Sequence, residues 1–253
     1  MSYKSILKTT IASTVLATSV SANAEMFWSD NSLTVLKNTS DFSLIGDADV
    51  NVLTFEHVSG HNWGDAFFFI DRMTVKDNTT GAESNEIYGE FSPRLSMSYA
   101  FDTKLEAGIL KDVYFAGTYE FTSSSNGFGF DNYLYGVGAD WNIIKDGYFQ
   151  TNVFYANNEL TDNDVQLTLV WGVPFSIANT NWMFDGYTDW SSSADDHAAE
   201  LHFNPQLRMD VGALWGKPKF FDAGIEYSYW KNKFGLDFAD TESVVSVIAK
   251  FHI

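Results

Sequence analysis

The sequence predicts an all-β fold, a single transmembrane antiparallel β-barrel of about twelve strands with both termini periplasmic. Three observations predict it. Apolar and polar residues alternate with period two, turn residues separate the alternating runs, and the connections between runs differ systematically in length.

The alternation is clearest at 164–173, where Val165, Leu167, Leu169, Trp171 and Val173 share one face. In 199–209, Leu201, Phe203, Leu207 and Met209 oppose Glu200, His202, Asn204, Gln206 and Arg208. Pro205 falls on the apolar face there, which argues against an unbroken central strand. In 221–230, Phe221, Ala223, Ile225, Tyr227 and Tyr229 oppose Asp222, Gly224, Glu226, Ser228 and Trp230. The last run sets Val245, Val247, Ala249, Phe251 and Ile253 on one side. A soluble sandwich alternates in the same way, so this pattern alone leaves two architectures open.

Strands are expected near 31–37, 49–58, 64–72, 87–96, 109–121 and 132–142, then 148–156, 164–173, 181–190, 199–210, 220–230 and 243–253. An even count suits a bacterial barrel. With both ends periplasmic, the odd connections face outward. They read as long and polar, as in Met73–Glu86 and Lys231–Glu242, while even ones such as Ser59–Trp63 read as short. Met97–Gly108 is the exception. This rhythm favours a membrane barrel over a sandwich.

The N-terminus sets the compartment. Lys4 and Lys8 precede a short apolar run from Ile11 to Val20, and Ala22-Asn23-Ala24 follows as a small-x-small cleavage pattern. The run is about half the roughly twenty residues a spanning helix needs. Residues 1–24 are therefore expected to be a cleaved signal peptide and 25–253 one outer-membrane barrel domain.

Composition narrows the function. The sequence has no cysteine, which excludes thiol chemistry, disulfide staples and cysteine-ligated metals. A formal charge of −18 excludes a nucleic acid polymer as partner, because phosphate binding needs a basic footprint. Disorder is a second reading of such acidity, but 17% aromatic content points to girdles at two lipid–water interfaces. No cofactor and no metal site are expected: the acidic loops lack ordered calcium-ligand spacing.

With the apolar face toward lipid, the opposite face lines the bore. That face carries Glu56, Phe67, Phe69 and Asp71, then Glu90, Arg94, Asp112 and Tyr114, and later Asp185, Tyr187 and Arg208. Two arginines among many carboxylates predict ion pairs across the bore. Inward aromatics either fill the lumen or form a stacking track for flat, ring-bearing solutes, at roughly 1–3 kcal/mol per ring. Weak binding of that size lets a solute leave again.

Several segments resemble one family. They are Phe27-Trp28-Ser29-Asp30-Asn31, the run from Phe55 to Asp71, and Tyr88-Gly89-Glu90-Phe91-Ser92-Pro93-Arg94. Lys111-Asp112-x-Tyr114-Phe115-Ala116, Gly136-Val137-Gly138-x-Asp140, Val173-Pro174 and the Asp185–Trp190 stretch extend the match. They resemble the nucleoside-specific channel-forming (Tsx-like, OmpK-type) outer-membrane proteins, over nearly the whole mature chain. The resemblance implies a monomeric twelve-stranded barrel that passes nucleosides and sometimes serves phage or colicins as a receptor. It also implies binding roles for Phe27, Trp28, Glu90, Arg94, Asp112 and Tyr114.

Two other classes compete. A surface-recognition or adhesion barrel would have a plugged lumen and would not conduct. A hydrolase would need a nucleophile beside an oriented base. His57 and His61 flank a turn, His197 sits in an acidic loop, and His202 lies mid-strand without a serine signature. The sequence is read as a channel, not an enzyme.

Overall fold

The computed structural model describes residues 24–253. The expected signal peptide, apart from Ala24, lies outside the described residues. Among those residues the chain forms β1 (Met26–Asn38), β2 (Ala48–His61), β3 (Gly64–Asp77), β4 (Glu83–Ser96), β5 (Leu110–Ser124) and β6 (Gly129–Trp141). It continues as β7 (Tyr148–Asn157), β8 (Asp164–Ile177), β9 (Thr180–Ser191), β10 (Glu200–Asp210), β11 (Phe221–Lys231) and β12 (Glu242–His252). One short helix, α1 (Met97–Ala100), occupies the connection after β4. Each strand pairs antiparallel with the next, and β12 closes on β1 from Ser32↔His252 to Asn38↔Ser246. The expected closed barrel of twelve strands is what forms.

The shortest strand, β7, has 10 residues. At about 3.3 Å per residue and a tilt near 40°, that spans about 25 Å, the height of a barrel's apolar band. The outer wall exposes Leu53, Phe115, Val137, Val153, Ile225 and Val247, while their neighbours in sequence turn inward. Ring contacts mark both edges of the band. Tyr119–Tyr133 and Tyr135–Tyr155 lie toward one end, and Phe175–Trp182 and Phe221–Phe251 toward the other. These are the two girdles that the aromatic content predicts. No helix among the described residues is long and apolar enough to cross a membrane.

Pro205 does not break β10, but it does interrupt one of its ladders. The β10–β11 register passes from Phe203↔Tyr229 to Gln206↔Glu226 without Asn204 and Pro205. The β4–β5 register likewise omits Ser92 and Pro93. Proline has no N–H to give, so bonding lapses on one side while the other ladder stays continuous. Opposite Pro205 stands Gly186 at φ +148°, where an added Cβ would meet the Asn204 carbonyl oxygen at 2.3 Å. Gly186→Ala should therefore cost about 1–3 kcal/mol. The cost would appear as a lower temperature for the heat-induced gel shift of the folded barrel.

The connection rhythm does not survive. Connections 39–47, 78–82, 125–128, 158–163, 192–199 and 232–241 lie at one end, here called distal. At the terminal end, which carries both chain ends, 62–63 and 178–179 are tight but 97–109 and 211–220 are long. The reason is that hairpins run on as polar ribbons. Pairs such as Thr74↔Asn85 and Lys76↔Glu83 continue the β3–β4 ladder through what the alternation reads as loop. Loop length therefore gives no sidedness.

Candidate solute path through the barrel

Every second residue of each strand faces the lumen, and the lumen divides into two chemically different stretches. The first holds the buried cations. In β4 the spacing Glu-x-x-Pro-Arg puts Glu90 and Arg94 on the same inward face. Arg94 donates through Nε to Asp65 Oδ1 at 2.8 Å and through Nη2 to Asp65 Oδ2 at 2.6 Å. The same Nη2 lies 2.9 Å from Asp140 Oδ1, and the guanidinium sits 4.3 Å over the Tyr114 ring. Arg208 bridges Asp185 and Asp222, Lys250 meets Glu56 at 2.6 Å, and His252 stands between Asp30 and Asp222. A buried charge is tolerable only with such partners.

The second stretch combines aromatic faces with carboxylates. On one wall Phe67, Phe69 and Tyr88 follow one another at 5.7 Å between ring centroids. On the other, Tyr187 meets His202 edge-on at 5.3 Å, and His202 stacks on Trp230 at 4.0 Å. Each neighbouring carboxylate accepts a side-chain hydrogen bond. Asp71 takes one from Thr54, Glu90 from Tyr88, Glu120 from Asn132, Asp189 from Thr168 and Glu226 from Gln206. In the closed order of twelve strands β3 and β4 stand six strands from β9 and β10, so the two walls lie across the lumen from each other. One donor leaves most of a carboxylate's lone pairs free. This stretch can thus hold a flat ring by its faces and accept hydrogen bonds from hydroxyl and amino groups.

The expected residues divide accordingly. Phe67, Phe69, Asp71, Glu90 and Tyr187 come together in the aromatic stretch. Arg208 pairs with Asp185, Glu56 pairs with Lys250, and Arg94 holds Asp65 and Asp140 in a separate cluster. Tyr114 belongs with Arg94: it is buried beneath the guanidinium and donates to Asp140 at 3.1 Å. Asp112 serves the backbone around α1, accepting from Ser96 at 2.5 Å and Ser98 at 2.6 Å. Phe27 and Trp28 sit at the terminal rim, 63% and 53% exposed, with the Trp28 indole over Gly60, the residue paired with Asp65.

Sequence reasoning misses Tyr88 and Lys250. Tyr88 shares the parity of Glu90 and Arg94, which is a sufficient signal. Lys250 lies on an inward face that mixes Val244 and Ile248 with Ser246, so it shows no contrast. His202 has Tyr187 at 3.3 Å and Ser228 at 3.2 Å on its two nitrogens, and no carboxylate orients it as a catalytic base.

At the distal mouth, His197 ties connections together. Its Nδ1 lies 2.7 Å from Asp196 and its Nε2 3.3 Å from Asp164. Burial works against its protonation, but the Asp196 hydrogen bond and the charges of Asp164 and Asp196 raise its pKa above the ordinary 6.5. A raised folded-state pKa adds stability in full below 6.5 and loses it as pH climbs through the raised value. Amide exchange protection of 192–199 should accordingly fall as pH rises through that window. Protection that is flat with pH, or that rises, contradicts the assignment.

Comparison with known proteins agrees with this geometry. The family model described as "Nucleoside-specific channel-forming protein, Tsx" matches residues 24–251. No curated protein matches at the sequence level. Among solved structures, a NanC porin superposes with a TM-score of 0.54 at 13% identity, covering 88% of this chain and 100% of that one. A KdgM porin does so with a TM-score of 0.50 at 9% identity, covering 87% and 98%. At such identities these two show the fold alone. With its described barrel matched almost from end to end, the chain belongs to the nucleoside-specific channel-forming Tsx family, and it is an outer-membrane channel for small solutes rather than an enzyme.

Proposed function

We propose that the channel passes nucleosides, and that the aromatic–carboxylate stretch is where they bind in transit. One observation carries this reading: ring faces line two walls of the same stretch, and carboxylates stand among them. A base would stack against Tyr187, His202 and Trp230 or against Phe67, Phe69 and Tyr88. Ribose hydroxyls would donate to Asp71, Glu90 or Asp189. Stacking worth roughly 1–3 kcal/mol is strong enough to select a solute and weak enough to release it. The reading includes export through a cleaved segment 1–24, a monomer with periplasmic termini, and distal connections that phage or colicins could use.

Liposome swelling tests it. Adenosine and thymidine should enter faster than glucose although they are larger, and Tyr187→Ala or Phe69→Ala should slow only the nucleosides, by about tenfold. Entry that follows size alone would sink the proposal. A surface-recognition barrel with a plugged lumen is the second reading. Its support is the packing of Ala116, Leu134, Phe154 and Ala156 on the inward side of β5–β7. A plugged barrel admits none of these solutes.

A further inference from the structure

Connection 232–241 is tied at its start to residues 198–200 at the distal mouth. Asn232 and Phe234 lie in the left-handed region at φ +50° and +59°, with Gly235 at +72°. For a residue with a Cβ, that backbone costs roughly 1–2 kcal/mol, so contacts must hold it. Asn232 Nδ2 donates to the Ala199 carbonyl at 2.8 Å, the Ala198 N–H donates to the Gly235 carbonyl at 2.9 Å, and the Gly235 N–H donates to Glu200 at 3.2 Å.

This turn sends Lys233 into the barrel. Its Nζ donates to both carboxylate oxygens of Glu242, at 2.9 Å and 3.0 Å. Glu242 opens β12 on the inward face, is only 2% exposed, and takes a further bond from Ser43. Three rings surround the same ammonium: Trp230 at 4.6 Å, and Phe42 and Phe234 at 5.5 Å. Aromatic faces around a desolvated cation, closed by a carboxylate, are the arrangement that recognises organic ammonium groups. The barrel does not need this cation for closure, because β12 is held to β11 and β1 by backbone pairing.

We propose that Glu242, Trp230 and Phe42 form an organic-ammonium site at the distal mouth, and that Lys233 is its tethered occupant. While Lys233 is seated, the connection narrows the entrance. A solute carrying an ammonium group competes for Glu242, displaces Lys233 and lifts the connection. The inference holds whichever solute the bore passes, and it does not rest on nucleoside transport.

Single-channel recording of the refolded protein in potassium chloride tests it. Lys233→Ala should raise the conductance about twofold or more by removing the obstruction. Ethylammonium chloride should raise the conductance of the native protein saturably toward that level by displacing Lys233 from Glu242, while ethanol at equal concentration should not. Lys233→Arg should conduct like the native protein. Lys233→Ala leaves Glu242 buried without its cation, so the double variant Lys233→Ala/Glu242→Gln guards against a folding defect. It should show the raised conductance and no response to ethylammonium. Native conductance in both variants, or an ethylammonium effect that persists in the double variant, overturns the proposal.

Discussion

Arg94→Ala lowers the stability of the folded barrel by about 3–5 kcal/mol, because it leaves Asp65 and Asp140 facing each other in the lumen without their shared cation. The guanidinium is only 5% exposed, so water cannot replace it easily. It also loses the Tyr114 contact, which adds to the cost. Urea titration in detergent micelles, followed by tryptophan fluorescence, measures the change. Arg94→Lys should recover only part of the loss, since one ammonium cannot reproduce the two-pronged contact with Asp65. Adding Asp65→Asn and Asp140→Asn to Arg94→Ala should restore most of it. A variant as stable as the native barrel would mean that these charges are solvated and the pairing is incidental.

The second large effect concerns ion selectivity. Arg94, Arg208 and Lys250 are each committed to carboxylates at their own level of the bore. Asp71, Glu90, Glu120, Asp189 and Glu226 have only neutral hydrogen-bond donors at their side chains. The aromatic stretch therefore carries an excess of carboxylates over cations, and rings of ionised carboxylates favour cations. In a potassium chloride gradient the reversal potential should lie on the cation side at alkaline pH, where these carboxylates are ionised. The triple variant Glu90→Gln/Glu120→Gln/Asp189→Asn should move it most of the way to zero while leaving the ion-paired stretch intact. Anion selectivity in the native channel would contradict the charge layout.

Much of this was legible in the sequence, because a barrel wall imposes one rule on every strand. Val165 to Val173 and Val245 to Ile253 show the rule plainly, and it places Glu90, Arg94, Asp185 and Arg208 in the bore without any structure. What the rule cannot supply is depth and partnership. It puts Tyr114 and Tyr187 on the same inward side, yet one lies buried beneath Arg94 and the other reaches the aromatic stretch. Residues outside the regular pairing escape it altogether. Phe27 sits at the irregular start of β1, where the register shifts between Met26 and Trp28, so its alternation carries no meaning. Lys233 is invisible for a related reason: its inward course depends on two left-handed residues in a connection, which no periodicity announces.

The most direct test of the account is a planar-bilayer recording of refolded 25–253 with adenosine titrated into the bath. The predicted result is a saturable fall in ion current that glucose does not produce, with the midpoint about tenfold weaker in Trp230→Ala and Tyr187→Ala. A current that ignores adenosine, or that adenosine and glucose lower alike, would contradict it.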